Sequence, residues 1–362
     1  MKLALVHDWL NTKRGGAEKV LSVLADTFPE APIYTLIYNS DRFDYPPERI
    51  HTSSLQRLPR SVKQRSRYLL PLIPSAVEGW DFSSYDVVLS SSSAFVKNII
   101  TPEQTTHISY CHTPARFVWD YWPAYLHEQQ LGPLRRWYVR RQARQFRIWD
   151  YVGAARVDAY IANSHTTARR IHRYYRREAD IVHPPVEIPP KPDVDKQDYY
   201  VTLGMLTPYK KIDLAIEAFN QSGRALKIIG DGPDRARLQR LAGDNIEFLG
   251  FVDEAAKHRV VAAAQGLIFP NKEDFGIAPV EAMALGTPVI GYGFGGVTET
   301  VENGVTGVLF SKQTVDALNK AVSQAQQLDC STERLREHAQ QFRTERFQEK
   351  IKYHLSRYEQ PT

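Results

Sequence analysis

Two glutamates eight residues apart, Glu273 and Glu281, flank an aromatic-glycine turn in NKEDFGIAPVEAMALGTPVI, residues 271–290. The turn follows an apolar run, GLIFP, and precedes a helical pattern. A loop that leaves a buried strand and enters a helix presents backbone N–H groups at the positive end of the helix dipole. At Phe275, Gly276 and Ile277 these would receive anionic or hydroxyl-rich groups. Gly276 permits close backbone approach. Carboxylates accept hydrogen bonds from sugar hydroxyls, so Glu273 on the loop and Glu281 in the first two helical turns suit a hexose and a ribose on either side of a diphosphate. The competing reading is local: Glu273 as a helix-entry acid and Glu281 as a surface residue.

Other polar residues also fall at the ends of apolar runs. Gly15 and Gly16 follow the first strand and open a helix, where their backbone could approach a phosphate. His112 ends THISYCH, Asp8 ends the first strand, and Asn163 and Ser164 follow AYIA. Asp8, Asn163 and Ser164 are candidate contacts to an acceptor, with turn formation the alternative for the latter two.

The elements that must position these groups alternate in type. Strand candidates are KLALVH, APIYTLI, YDVVLSS, THISYCH, AYIANS and DIVHPP in the first half, and YYVTLG, ALKIIGDG, IEFLG, GLIFP and TPVIGYG in the second. Amphipathic helical patterns separate them, among them GGAEKVLSVLADTF and KKIDLAIEAFNQ. This alternation predicts an α/β protein with parallel sheets covered on both faces. The 362 residues exceed what one core usually serves. PPVEIPPKPDVDKQD (184–198), rich in proline and charge, reads as a linker. The expected organisation is a Rossmann-like domain over 1–185, a linker over 186–198, a second Rossmann-like domain over 199–335, and a C-terminal helix over 336–362 with Phe342, Phe347 and Ile351 on one side. Ligands of such sheets sit outside the carboxyl ends of the strands, so the expected site is a cleft that the two domains face.

Composition excludes several classes. With 43% hydrophobic and 24% charged residues and no run of eighteen apolar residues, a membrane-spanning helix is not expected. MKLALVHDWL reads as a first buried strand, since His7, Asp8 and Trp9 interrupt it before any cleavage site. Cys111 and Cys330 are too few for a disulfide framework, which points to a cytoplasmic protein. No zinc-type spacing occurs, and the one Asp-x-Asp, Asp193 to Asp195, lies in the linker, so no metal and no cofactor are expected.

The net charge of +5 is modest, but it is unevenly placed. LQRLPRSVKQRSRYLLPLIP (55–74) interleaves Arg57, Arg60, Lys63, Arg65 and Arg67 with apolar residues. RRWYVRRQARQFRIW (135–149) places six arginines among Trp137, Phe146 and Trp149 on a helix. Both suit an anionic membrane surface, and both also suit a solvated helix face over a core. No nucleic-acid motif accompanies the charge.

Taken together, EDFGIAPVEAMALGTPVI, GMLTPYKKIDLAIEAF, KIIGDGPDRARLQRLA, GGVTETVENGVTGVLF, RGGAEKVL and YCHTPARFVWD resemble the retaining glycosyltransferases of family 4, with the GT-B fold and an E-x7-E signature. Within that family the chain is most similar to bacterial enzymes of O-antigen and exopolysaccharide synthesis, including mannosyltransferases. The resemblance implies that Glu273 binds the donor hexose, Glu281 the ribose, and Lys210 the diphosphate as it leaves, with His112 near the reacting carbon. It also implies that the C-terminal helix crosses back to the first domain. Where the family pairs the lysine with an arginine, this chain has Met205, and Lys211 is a candidate to compensate.

The reaction so implied is transfer of a hexose with retention, from GDP-mannose first and UDP-glucose next, to a saccharide acceptor, lipid-linked and met at the inner membrane face by residues 57–67. Two rivals stay open: an epimerase or hydrolase of the same fold, and an inactive sugar-nucleotide-binding scaffold. A nicotinamide oxidoreductase, suggested by GYGFGG (291–296), lacks the expected glycine spacing and position.

Overall fold

The computed structural model describes residues 1–11, 15–63, 69–122, 126 and 132–358. Two compact units divide the chain: Met1–Pro185 with Phe347–Thr362, and Val186–Arg346.

The first unit is built on a seven-stranded sheet in the order β3-β2-β1-β4-β5-β6-β7. The strands are β1 Leu3–His7, β2 Ile33–Thr35, β3 Ile50–Thr52, β4 Val87–Ser92, β5 Thr106–Cys111, β6 Ala159–Ala162 and β7 Asp180–Ile181, all paired in parallel. Alternation along each strand divides the core in two. Leu3, Leu5, Val87 and Leu89 pack with Val20, Leu21 and Leu24 of the helix Gly16–Thr27 and with Phe347, Ile351 and Leu355 of the last helix, Thr344–Ser356. Ala4, Val6 and Val88 face the other way, onto Ile73, Phe95, Val96, Ala143 and Phe146.

The second unit repeats the plan with six parallel strands, β10-β9-β8-β11-β12-β13. These are β8 Tyr200–Leu203, β9 Leu226–Ile229, β10 Ile246–Gly250, β11 Leu267–Phe269, β12 Val289–Tyr292 and β13 Gly307–Phe310. Val201, Leu267, Phe269 and Val289 face one core, and Tyr200, Ile228, Ile268 and Ile290 the other. The α/β reading of two doubly wound sheets therefore holds.

Four expectations need correction. Strands β3 and β13 are absent from the sequence reading: the first is a three-residue edge strand and the second follows a glycine turn. Residues 186–198 are not a free linker. Val186, Ile188 and Val194 pack into the second unit, and Lys196 donates to the Ala264 carbonyl at 2.8 Å, the Gly286 carbonyl at 2.9 Å and Thr287 Oγ1 at 3.0 Å. The C-terminal pattern is not one helix, since Thr332–Ala339 and Thr344–Ser356 are separated by a 3-10 turn at Gln340–Phe342. Phe342 therefore leaves the Phe347 face and packs edge-on against Phe275, ring centroids 5.6 Å apart. Finally, most of the described apolar residues of the 55–74 stretch are not presented outward: Leu55, Leu69 and Ile73 are buried and Leu58, Val62 and Leu70 pack on the same core, while Leu72 is 48% exposed.

A fully buried ion pair braces the first unit. Lys97, in the loop after β4, meets Asp150 on the long helix Pro133–Ala154. Asp150 Oδ2 also accepts from Trp119 Nε1 at 2.7 Å and Tyr175 Oη at 2.8 Å, and Lys97 donates to Asn98 Oδ1 at 3.1 Å. Removing one charge strands the other in a low-dielectric interior. Asp150→Ala is expected to cost about 3–5 kcal/mol in urea unfolding, and the joint change Lys97→Met with Asp150→Leu to cost less than Asp150→Ala alone.

Candidate active site

In the first unit the carboxyl ends of β1, β4, β5 and β6 converge, and the fate of each polar group there is set by what the adjoining loops require. Asp8 is buried, and its carboxylate accepts four backbone N–H groups: Ser93 at 2.5 Å and Ala94 at 2.9 Å on Oδ2, Phe95 and Val96 at 2.9 Å on Oδ1. Two donors on each oxygen use its accepting capacity, so Asp8 anchors the loop after β4 and is not an acceptor contact. Asn163 and Ser164 also serve the local backbone. Asn163 Nδ2 donates to the His112 carbonyl at 2.9 Å, and Ser164 caps the helix His165–Tyr175, accepting from the Thr167 N–H at 3.0 Å. Asn163 thus ties down the backbone that carries His112, as does Thr167, whose Oγ1 donates to the same carbonyl at 3.2 Å.

His112 itself is 8% exposed. Its Nε2 lies 2.8 Å from Ser91 Oγ, which lies 3.2 Å from His7 Nδ1. Burial, then the neighbouring His7, pulls the His112 pKa down to about 3, so the ring is neutral at physiological pH. Gly15 and Gly16 stand exposed at the start of their helix, and the Gly15 N–H donates to Glu18 Oε2 at 2.8 Å. A carboxylate therefore already occupies one of the amides expected to meet phosphate.

In the second unit the loop after β11 holds the signature. Lys210 forms an ion pair with Glu273 Oε1, which also accepts from Asn271 Nδ2 at 3.0 Å. Phe275 and Gly276 are buried, Gly276 is left-handed at φ 90° and caps the helix Ile277–Ala284, and Ile277 is half-buried. Glu281 is not a lone surface acid: Lys257 Nζ lies 3.6 Å from its Oε2 and 2.6 Å from Glu254 Oε2. Gly295 and Gly296 of GYGFGG hold this loop down. The Gly296 N–H donates to the Glu273 carbonyl at 2.9 Å, and a Cβ on Gly296 would stand 2.2 Å from Phe275 Cα. These glycines serve close backbone approach, which removes the ground for a dinucleotide loop. Lys211 is exposed and left-handed at φ 55°, just ahead of the helix Ile212–Ser222, and Met205 is 58% exposed.

Sequence reasoning missed Ser91, His7, Asn271 and Lys257. None carries a local signal, since each acquires its partner through strand or helix packing. Among the basic residues of 57–67, Arg57 and Arg60 are exposed, Arg60 lies 3.8 Å from Asp41, and Lys63 donates to the Gln56 carbonyl at 3.1 Å. Arg65 and Arg67 lie outside the described residues. Among the described residues no three His, Cys, Asp or Glu side chains come together as a metal-binding group, and no helix is long and apolar enough to cross a membrane.

Neutral buried histidines fix a pH response. His107, with Nε2 2.8 Å from Ser90 Oγ, is pulled down to about 3 by burial, then by Lys97 and Arg156. Between pH 6.5 and 3 the unfolded chain binds protons at His107 and His112 that the folded chain does not, so the contribution is whole above 6.5 and is lost as pH falls. Urea midpoints of the first unit are expected to drop across this window, with a shallower drop for His107→Gln.

Two family models match in tandem: Glycosyltransferase Family 4 over residues 14–188 and Glycosyl transferases group 1 over residues 186–342. A 2-deoxystreptamine N-acetyl-D-glucosaminyltransferase of Streptomyces fradiae is 34% identical over 109 residues, 28% of this chain and 26% of that protein. An alpha-D-kanosaminyltransferase of Streptomyces kanamyceticus is 23% identical over 204 residues, 52% of this chain and 53% of that protein. The matched segments thus span a quarter to a half of those relatives. Among solved structures, sucrose-phosphate synthase of Thermosynechococcus elongatus superposes with a TM-score of 0.74 at 17% identity over 99% of both chains. Anabaena HepE in complex with UDP gives 0.68 at 18% identity over 98% of this chain and 100% of that one. With both models end to end and the fold matched over its whole length, the chain belongs to the glycosyltransferases of the GT-B fold.

Proposed function

We propose that the protein is a retaining, metal-independent hexosyltransferase that uses a nucleotide diphosphate sugar and a lipid-linked saccharide acceptor in the synthesis of a bacterial surface polysaccharide. The observation that carries this reading is the pair of carboxylates on the loop and helix after β11, each set beside a lysine: Glu273 with Lys210, and Glu281 with Lys257. Glu273 accepts from hexose hydroxyls and Glu281 from the ribose. Lys210 exchanges Glu273 for the diphosphate as it leaves, assisted by the amides that open the helix Ile277–Ala284. In the front-face route the acceptor hydroxyl oxygen bonds to the anomeric carbon, the bond from that carbon to the phosphate oxygen breaks, and the departing diphosphate takes the hydroxyl proton.

GDP-mannose is the first donor by sequence resemblance. UDP-glucose is the second, supported by the complexes of HepE with UDP and with UDP-glucose. Calorimetric titration with GDP, UDP and both sugar nucleotides is expected to give selective micromolar-range binding of one base, lost on Glu281→Ala. No binding of any of them would end the proposal, binding without transfer would favour the inactive scaffold, and sugar release from the donor without an acceptor would favour the hydrolase.

The membrane part of the proposal moves from residues 57–67 to the amino-terminal turns of Pro133–Ala154. There Leu134 is 85%, Trp137 65% and Tyr138 50% exposed. Arg135, Arg136, Arg140 and Arg141 are exposed beside them, and no acid occurs in that helix before Asp150. Arginine with exposed aromatic and aliphatic groups matches an anionic lipid interface. Flotation with phosphatidylglycerol vesicles at low salt is expected to carry the protein. The joint change Leu134→Ser with Trp137→Ser should abolish that flotation while Arg57→Gln with Arg60→Gln leaves it, and the reverse pattern would return the contact to 57–63.

A further inference from the structure

The carboxyl ends of three neighbouring strands place His7, Ser91 and His112 in one buried row. His7 and Ser91 are register partners across β1 and β4, and His112 follows β5, its N–H bonded to the Ser92 carbonyl at 2.8 Å. Their exposures are 2%, 1% and 8%. Ser91 Oγ is the shared member, 3.2 Å from His7 Nδ1 and 2.8 Å from His112 Nε2. Water has little access to such a row, so its protons must be distributed among its own members.

The distribution can be counted. Both rings are held neutral by burial, which outweighs the opposing pull of Glu18 and Asp8 on His7. Each ring then carries one N–H, and the serine carries one O–H. Two orders satisfy both links. In one, His7 Nδ1–H donates to Ser91 Oγ, whose hydroxyl donates to His112 Nε2, and the His112 proton resides on Nδ1. In the other, all donations reverse and His112 Nδ1 is bare. Only the first order leaves the free nitrogen of His112 with a proton to donate.

We infer that His7 and Ser91 are positioning residues that fix the tautomer of His112, so that it offers an N–H at Nδ1, and not a bare nitrogen, to a substrate oxygen. The inference rests on the transferase reading proposed above and on His112 lying near the reacting carbon, as the family resemblance implies. A hydrogen-bond donor of fixed direction stabilises an oxygen that gains negative charge and does not itself remove a proton, which suits a route in which the leaving diphosphate is the base.

The test reads the tautomer and the reaction separately. Nitrogen-15 spectra of the full chain with labelled histidine are expected to show His112 protonated at Nδ1 in the wild type, and to move toward the Nε2–H tautomer in Ser91→Ala. Transfer is expected to fall about tenfold in kcat for Ser91→Ala and for His7→Leu, with donor KM changed less than twofold. His7→Asn, whose amide N–H stands in for Nδ1–H, should stay within about threefold of the wild type. A wild-type His112 protonated at Nε2 would overturn the inference, as would an unchanged kcat in Ser91→Ala. A wild type without transferase activity on any sugar nucleotide would instead overturn the functional reading, and the spectra alone would then decide the tautomer.

Discussion

Every loop that leaves a parallel strand at its carboxyl end carries backbone N–H groups that no neighbouring strand can take, and burial makes leaving them unpaired expensive. The two units meet this demand with different chemistry. In the first, a single carboxylate, Asp8, collects four N–H groups from Ser93 through Val96. In the second, backbone meets backbone, as Gly296 donates to the Glu273 carbonyl with no side chain between. What remains for a ligand follows from this division. Where a side chain is used to satisfy the loop, it is lost to substrate. Where glycines do it, the neighbouring carboxylate stays available.

The same division explains which parts of the site were legible in the sequence. Buried parallel strands are short apolar runs and declare themselves, as LALVH and LIF do; Ile50–Thr52 does not, because an edge strand of three half-exposed residues has no such run. Glu273 and Glu281 were read from residue type at a strand end and a helix start, and Lys210 from the family resemblance, and the structure pairs each carboxylate with a lysine. Asp8, Asn163 and Ser164 had the same type and the same position, yet serve the backbone, since their fate depends on how the next loop folds. Ser91 and His7 were illegible for the converse reason: β1 and β4 become neighbours across 84 residues of sequence, and only that pairing brings the two side chains together. Phe342 shows the limit of periodicity, because a helical pattern continues through a 3-10 turn that redirects the chain.

Burial also decides between two basic stretches that composition alone treats alike. Leu55, Leu58, Val62 and Leu69 are drawn into the core, and Arg57 and Arg60 stand exposed beside them. The helix Pro133–Ala154 buries Ala143, Phe146, Asp150, Gly153 and Ala154, toward its carboxyl-terminal end, and leaves its first turns exposed with their aromatic groups outward. An apolar side chain can serve only one surface, and the first turns of this helix leave Leu134, Trp137 and Tyr138 outward where the described part of 55–74 leaves Leu72.

Charge balance around the donor carboxylates bears on the missing arginine. Lys210 is matched by Glu273, and Lys257 by Glu281 and Glu254, so neither lysine brings surplus positive charge. Met205 adds none. On the proposed reading a diphosphate would therefore be met by the amides that open the helix Ile277–Ala284, by the exposed Lys211, and by whatever Lys210 provides once Glu273 turns to sugar hydroxyls. On the transferase reading proposed above, that exchange would couple the two halves of the donor, because the hexose would have to engage Glu273 for the lysine to become free for the phosphates, and a nucleotide lacking its sugar would meet an occupied lysine.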